Sequence, residues 1–144
     1  MIVAFLQNPW FPAHTHHTLV AKYRDRQDLH RRILGASMTG KRLIAAFGDM
    51  YNKIHWDNAN WRHTSVVNGR VPADLEHINR VLVLTQPDLV LAFGKVAKEA
   101  LDSMLVAYPT IELIACPHPT AFGNTTGNLT KLGEKIRAEY SHFL

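Results

Sequence analysis

The chain has 144 residues, of which 47% are hydrophobic and 19% charged, a composition typical of one globular domain and not of a disordered chain. Lysine and arginine exceed aspartate and glutamate by 16 to 12, a modest excess that suits a polyanionic partner without requiring one. The single cysteine excludes an intramolecular disulfide and a cysteine-ligated metal cluster, and no apolar run is long enough to span a bilayer.

The predicted elements begin with a strand and continue as helices. Residues 2–6 form an unbroken apolar run, which is typical of a strand that is buried on both faces. Apolar residues at helical spacing predict one helix over 18–34 and a second over 41–54. The stretch 55–72 is rich in Asn, Trp, Gly and Pro, which indicates irregular structure with at most a short strand at 64–67.

The second half of the chain alternates helices with strands. The predicted order is helix 73–85, strand 89–93, helix 95–107, strand 111–115 and a terminal helix over 129–143. Such alternation is typical of a parallel sheet that is covered by helices. We therefore predict an α/β fold, in which a central, mainly parallel four-stranded sheet forms the middle of three α/β/α layers.

Polar motifs follow three of the predicted strands. They are Gln7-Asn8-Pro9-Trp10 after the first, Gly94-Lys95 after strand 89–93, and Cys116-Pro117-His118-Pro119-Thr120 after strand 111–115. In an open parallel sheet, ligands bind beyond the carboxyl ends of the strands. We therefore expect Asn8, Lys95 and His118 to contribute to one site, although more than a hundred positions separate the first from the last.

These motifs resemble those of the uracil-DNA glycosylase superfamily, and the resemblance extends over most of the chain. The first motif is similar to that family's water-activating motif, residues 87–97 to its third-strand signature, and His118-Pro119-Thr120 to its His-Pro-Ser motif. Residues 40–43 are similar to a helix start in its compact branches. The resemblance implies one uracil-DNA glycosylase-like domain over residues 1–144.

Hydrolysis of an N-glycosidic bond forms an oxocarbenium-like sugar and a base that leaves with negative charge. The prolines beside His118 aim its ring from a strand end, and in the resembled family this histidine donates to the pyrimidine O2. Asn8 orients a water through its carbonyl oxygen, but a neutral amide is not an effective general base, so we expect modest turnover or a reactive leaving group. Without the resemblance, Asn8-Pro9 is a turn and His118 is a loop histidine.

Recognition of a flipped base needs an amide that pairs with its Watson–Crick edge and an aromatic ring on which it stacks. The resemblance implies an Asn at the end of the second strand, for which Asn60 is the first choice and Asn58 the second. Both are otherwise ordinary loop residues. For the aromatic ring the candidates are Phe11 and Phe47, and Phe47 fits the core-facing side of its helix better.

The resemblance also implies that Gln7, Pro9 and Trp10 belong to the motif that binds the base. Trp10 stands where these enzymes carry Tyr or Gly. If its indole lines the pocket, thymine is excluded; if it points outward, it becomes a stacking surface for DNA.

Contacts with DNA are expected from a loop and from two helix starts. In Thr120-Ala121-Phe122-Gly123, the apolar Phe122 is a candidate wedge for the base stack. The two helix starts offer free backbone amides and cations to phosphates, although each is equally a routine helix start. The candidate DNA contacts are Lys41, Arg42, Gly94, Lys95, Thr120 and Phe122.

We predict a monomeric DNA glycosylase without a cofactor that excises uracil or a related modified pyrimidine from single- or double-stranded DNA and leaves an abasic site. A metal site at His14-Thr15-His16-His17 is disfavoured, because no Cys or carboxylate is adjacent. Three alternatives remain open: a base-modifying enzyme that acts on a hypermodified pyrimidine in DNA, a non-catalytic reader of DNA, and a flavodoxin-like small-molecule binder. The expected location is cytoplasmic or nucleoid-associated, or the host cytoplasm for a viral protein, with no membrane partner.

Overall fold

The structure is a computed structural model, and it describes residues 1–6, 23–60, 72–119 and 126–144. Within these ranges, four strands form one sheet: β1 (Ile2–Leu6), β2 (His55–Asn58), β3 (Leu89–Phe93) and β4 (Glu112–Cys116). Every pairing is parallel, and the strand order is β2-β1-β3-β4. The predicted α/β fold with a central four-stranded sheet is confirmed.

Helices cover both faces of this sheet. The α-helices of the described ranges are α1 (Tyr23–Ala36), α2 (Met38–Phe47), α3 (Leu75–Thr85), α4 (Lys95–Met104) and α5 (Thr126–Tyr140). Alternate residues of each strand face opposite sides. Leu6, Trp56 and Phe93 pack with residues of α1, α2 and α5, whereas Val3 and Phe5 pack with α3 and α4. The sheet is therefore the middle layer of three.

The predicted helix over 41–54 consists of two elements. Residue Gly48 ends α2 with a φ of 56°, and a 3₁₀ helix, Gly48–Lys53, follows it. A positive φ is readily adopted by glycine, so this position interrupts the helix that the apolar spacing suggested. Two further 3₁₀ segments follow α4 and α5, at Leu105–Ala107 and Ser141–Phe143.

The corner between α1 and α2 brings two backbones into close approach. A Cβ atom on Gly40 would lie 1.7 Å from the carbonyl oxygen of Leu34, so only glycine fits there. Ser37 caps α2, since its Oγ accepts the N–H of Gly40 at 3.0 Å. This corner fixes where α2 begins, and with it the placement of Arg42.

Strand β2 is the main departure from the sequence prediction, which treated its residues as irregular and was wrong there. Asp57 and Asn58 are poor strand formers, so local preference gives little signal. Tertiary contacts stabilise the strand instead. The side-chain amide of Gln27 in α1 pairs with the backbone of Trp56, donating to its carbonyl at 2.9 Å and accepting its N–H at 2.8 Å. The short strand considered at 64–67 lies outside the described residues.

In the part of the chain that the structure describes, no helix is both long enough and apolar enough to cross a membrane.

Candidate functional site

Because the sheet is wholly parallel, the carboxyl ends of its strands lie along one edge. In the register of the sheet, Leu6 lies opposite Asn58, and Phe93 lies opposite Cys116. Phe5 lies opposite Ala92, so the residues that follow them, Leu6 and Phe93, are level with each other. Asn58 follows Trp56 by two residues and therefore lies on the same face as it. Asn58, Leu6, Phe93 and Cys116 form one row across this edge, on the side of α1, α2 and α5.

The Asn58 side chain is the most unusual group in this row. It is fully buried, and neither Oδ1 nor Nδ2 has a hydrogen-bond partner among the described residues. Burial of an unpaired amide costs free energy, and most buried polar groups in folded proteins are paired. In the described part of the chain, Asn58 therefore holds two N–H donors and one acceptor oxygen that remain without partners.

Asn60, the preferred amide of the sequence analysis, is buried and hydrogen-bonded within the protein. Its Nδ2 donates to the carbonyl of Pro72 at 2.8 Å, which ties together the two ends of residues 61–71. Strand β2 ends at Asn58, two residues earlier. The structure thus places Asn58, and not Asn60, at the end of the second strand.

His118 lies two residues beyond the end of β4, on the same edge of the sheet. The side chain is half-buried, and burial lowers the pKa of His118 below its ordinary value. The neutral imidazole therefore predominates near neutral pH, and it carries one N–H donor. The carbonyl of the next residue, Pro119, accepts a hydrogen bond of 2.9 Å from Nη1 of Arg42. Arg42 thus links the start of α2 to the His118 segment.

A cavity with two lysines in its lining lies beside the ends of β3 and β4. It has a volume of about 310 Å³ and is lined by Gly94, Lys95, Lys98, Ala115, Cys116 and Pro117. Both lysines are exposed. Nζ of Lys95 lies 3.8 Å from a carboxylate oxygen of Glu99, and Nζ of Lys98 lies 2.6 Å from one of Asp102. Burial raises the pKa of the Cys116 thiol to about 12, so this cysteine is not a nucleophile at neutral pH.

Phe47 is fully buried and packs edge-on against Trp56, with ring centroids 5.9 Å apart. It belongs to the core, as its helical position suggested. Lys41 is exposed at the start of α2. The other predicted site residues lie outside the described residues: Gln7, Asn8, Pro9, Trp10, Phe11, Thr120 and Phe122.

Sequence reasoning missed a buried carboxylate and imidazole next to Asn58. Nε2 of His77 lies 2.8 Å from Oδ1 of Asp57, and each side chain is only 1% exposed. A signal for this pair existed, because His77 falls on the apolar face of its helix, where a buried imidazole needs a polar partner. The residues around its partner, Asp57, gave no comparable signal in the sequence.

The described ranges contain no group of three or more histidine, cysteine or acidic side chains that is arranged to hold a metal ion. Comparison with protein-family models, curated proteins and solved structures gives no match. The likeness to uracil-DNA glycosylases therefore rests on the sequence motifs.

Proposed function

We propose that this protein is a DNA glycosylase, which flips uracil or a related modified pyrimidine out of DNA and hydrolyses its N-glycosidic bond. The observation that carries the proposal is the buried amide of Asn58, which has no hydrogen-bond partner among the described residues and lies on the same sheet edge as His118. Burial of such an amide is unfavourable in the free protein and becomes favourable when a ligand pairs with it.

The chemistry of an amide favours a pyrimidine as that ligand. A side-chain amide offers an acceptor beside a donor, and a uracil edge offers a donor beside an acceptor. A site built to pair with such an edge rejects ligands that leave its buried groups unpaired. Asn58 would therefore supply selectivity as well as affinity.

The two groups lie at the ends of the two outer strands of the sheet. Asn58 and Cys116 lie at the ends of the outer strands, three strand spacings apart, or roughly 14 Å. His118 lies two residues past Cys116.

His118 would act on the departing base. A neutral imidazole donates its N–H to an oxygen that gains negative charge as the bond breaks, and the burial that lowers its pKa keeps it neutral. The loss of one such donor typically costs about 3–4 kcal/mol of transition-state stabilisation. Asn8 remains the predicted water-orienting residue. The DNA partner is supported by the net charge of +4 and by exposed cations at two helix starts, Lys41 and Lys95.

An alkaline-cleavage assay tests the proposal. Single- and double-stranded oligonucleotides with one uracil or one modified pyrimidine are incubated with the protein, and a thymine oligonucleotide serves as control. We expect abasic sites at one or more lesions, and we expect His118→Ala to abolish excision while it largely preserves DNA binding.

Other outcomes would reject the proposal in favour of a stated alternative. Salt-sensitive binding without an abasic product would indicate a reader of DNA. A mass gain on the base would indicate a base-modifying enzyme. The absence of both excision and DNA binding would favour a small-molecule binder. Equal loss of excision and binding in His118→Ala would contradict the role assigned to the imidazole.

A further inference from the structure

The buried pair of Asp57 and His77 lies on the face of β2 opposite the Asn58 amide, toward α3. Their side chains are 1% exposed and 2.8 Å apart. Desolvation of two ionisable groups is costly, and apolar residues of similar volume are often as stabilising as a buried pair. Stability alone therefore does not explain why these residues occupy the site, and a positioning role does.

Asp57 accepts a hydrogen bond from the backbone of Asn58. Its Oδ1 accepts the N–H of Asn58 at 2.8 Å, in addition to its contact with His77. This contact restrains rotation about the link between residues 57 and 58. Since successive strand side chains point to opposite faces, the restraint directs the Asn58 side chain to its own face.

The other end of the pair is anchored as firmly. His77 lies in the first turn of α3, and its N–H is accepted at 3.1 Å by Oδ1 of Asp74, the residue that caps the helix. The N–H of Asp74 donates to the carbonyl of Ala59 at 2.8 Å, and the N–H of Ala59 donates to Leu6 at the end of β1. These bonds connect the ends of β1 and β2 to α3.

We propose that Asp57 and His77 are positioning residues, which fix Asn58 in the orientation that pairs with the target base. The inference rests on the proposed function, and it assigns the pair an effect on affinity for the base and not on bond cleavage. Neither side chain touches the base, because both lie on the other face of the sheet.

Two variants distinguish the positioning role of the Asp57–His77 pair from its charge and from its contribution to stability. The double variant D57L/H77L replaces the pair by apolar side chains, which offsets the cost of leaving the Asn58 N–H without its acceptor, so we expect the variant to remain folded. The matched control D57N removes the negative charge but keeps an oxygen that accepts the N–H of Asn58. D57L/H77L should no longer hold Asn58 in its orientation, whereas D57N should still do so.

Hydrogen exchange reports on the position of Asn58 without any substrate. We expect the Asn58 backbone N–H to be protected in the wild type and in D57N, and to exchange at least about tenfold faster in folded D57L/H77L, since that N–H then lacks its acceptor. An unprotected Asn58 N–H in the wild type would overturn the inference even if the double variant did not fold.

Single-turnover excision from a uracil oligonucleotide gives the functional readout. For D57L/H77L we expect the half-saturating enzyme concentration to rise by about tenfold and the maximal rate to change by less, whereas D57N should behave as the wild type. An unchanged half-saturation value in the folded double variant, or an equal loss in D57N, would refute the positioning role. If the wild type excises no lesion, the proposed function fails, and exchange at Asn58 still decides whether the pair positions it.

Discussion

Asn58→Leu should make the protein more stable and abolish its recognition of the target base. The side chain is fully buried with both amide atoms unpaired among the described residues. An unsatisfied buried polar group costs about 1–3 kcal/mol, and leucine of similar volume removes that cost. For a chain of this size, each kcal/mol shifts the melting temperature by about 4 °C. We therefore expect a rise of about 4–12 °C in the melting temperature.

Asn60→Leu is the matched control, because Asn60 is also a buried amide of the same segment. Its Nδ2 donates to Pro72 at 2.8 Å, so its replacement removes a hydrogen bond and should lower stability by about 0.5–1.5 kcal/mol. Excision by this variant should survive. The two variants are thus expected to change stability in opposite directions, and only Asn58→Leu is expected to lose excision.

Thermal melting followed by circular dichroism measures the first property, and alkaline cleavage of a uracil oligonucleotide measures the second. A melting temperature for Asn58→Leu that falls as far as that for Asn60→Leu would show that the Asn58 amide is satisfied in solution. Wild-type excision by Asn58→Leu would show that this amide does not read the base. Either result refutes the reasoning.

Three more predictions follow from contacts elsewhere. Arg42→Gln loses the bond to the Pro119 carbonyl, and the resulting displacement of His118 should slow single-turnover excision by about ten- to hundredfold at saturating enzyme. Burial lowers the pKa of His118 in the folded protein, so the unfolded chain binds more protons than the folded chain as the pH falls through 6.5. The melting temperature should therefore decrease as the pH falls through this range, and it should decrease less in His118→Gln. Gly40→Ala places a Cβ on the Leu34 carbonyl and should cost about 1–3 kcal/mol or more in chemical denaturation.

Each of these predictions has a control. Lys41→Gln removes a neighbouring exposed cation and should alter only salt-dependent DNA binding; an equal loss of rate would mean that charge, and not the bond to Pro119, explains Arg42. A melting temperature of His118→Gln with the same pH dependence as the wild type would contradict the assigned titration. At Gly35 an added Cβ meets the ends of two side chains, Ile44 at 3.3 Å and Tyr51 at 3.6 Å, and no backbone atom is among these contacts, so Gly35→Ala should be tolerated better than Gly40→Ala.

The sequence by itself determined the fold class and three of the four strands. Unbroken apolar runs at 2–6 and 89–93 are local signals, and β1 and β3 occupy those residues. The run at 111–115 is shifted by only one residue, to Glu112–Cys116. Because parallel strands share a carboxyl edge, the pattern also placed His118 at that edge. These features depend on neighbouring residues, which the chain order records directly.

Tertiary structure decided the second strand and the amide at its end. Residues His55–Asn58 lack a strong strand pattern, and their pairing with β1 and with Gln27 in α1 stabilises them as a strand. The Asp57–His77 bond likewise joins residues 20 positions apart. Such contacts depend on which distant surfaces meet after folding, and hydrophobic periodicity carries no information about them. The sheet edge was therefore predictable from sequence, whereas the position of Asn58 at the end of the second strand required the fold.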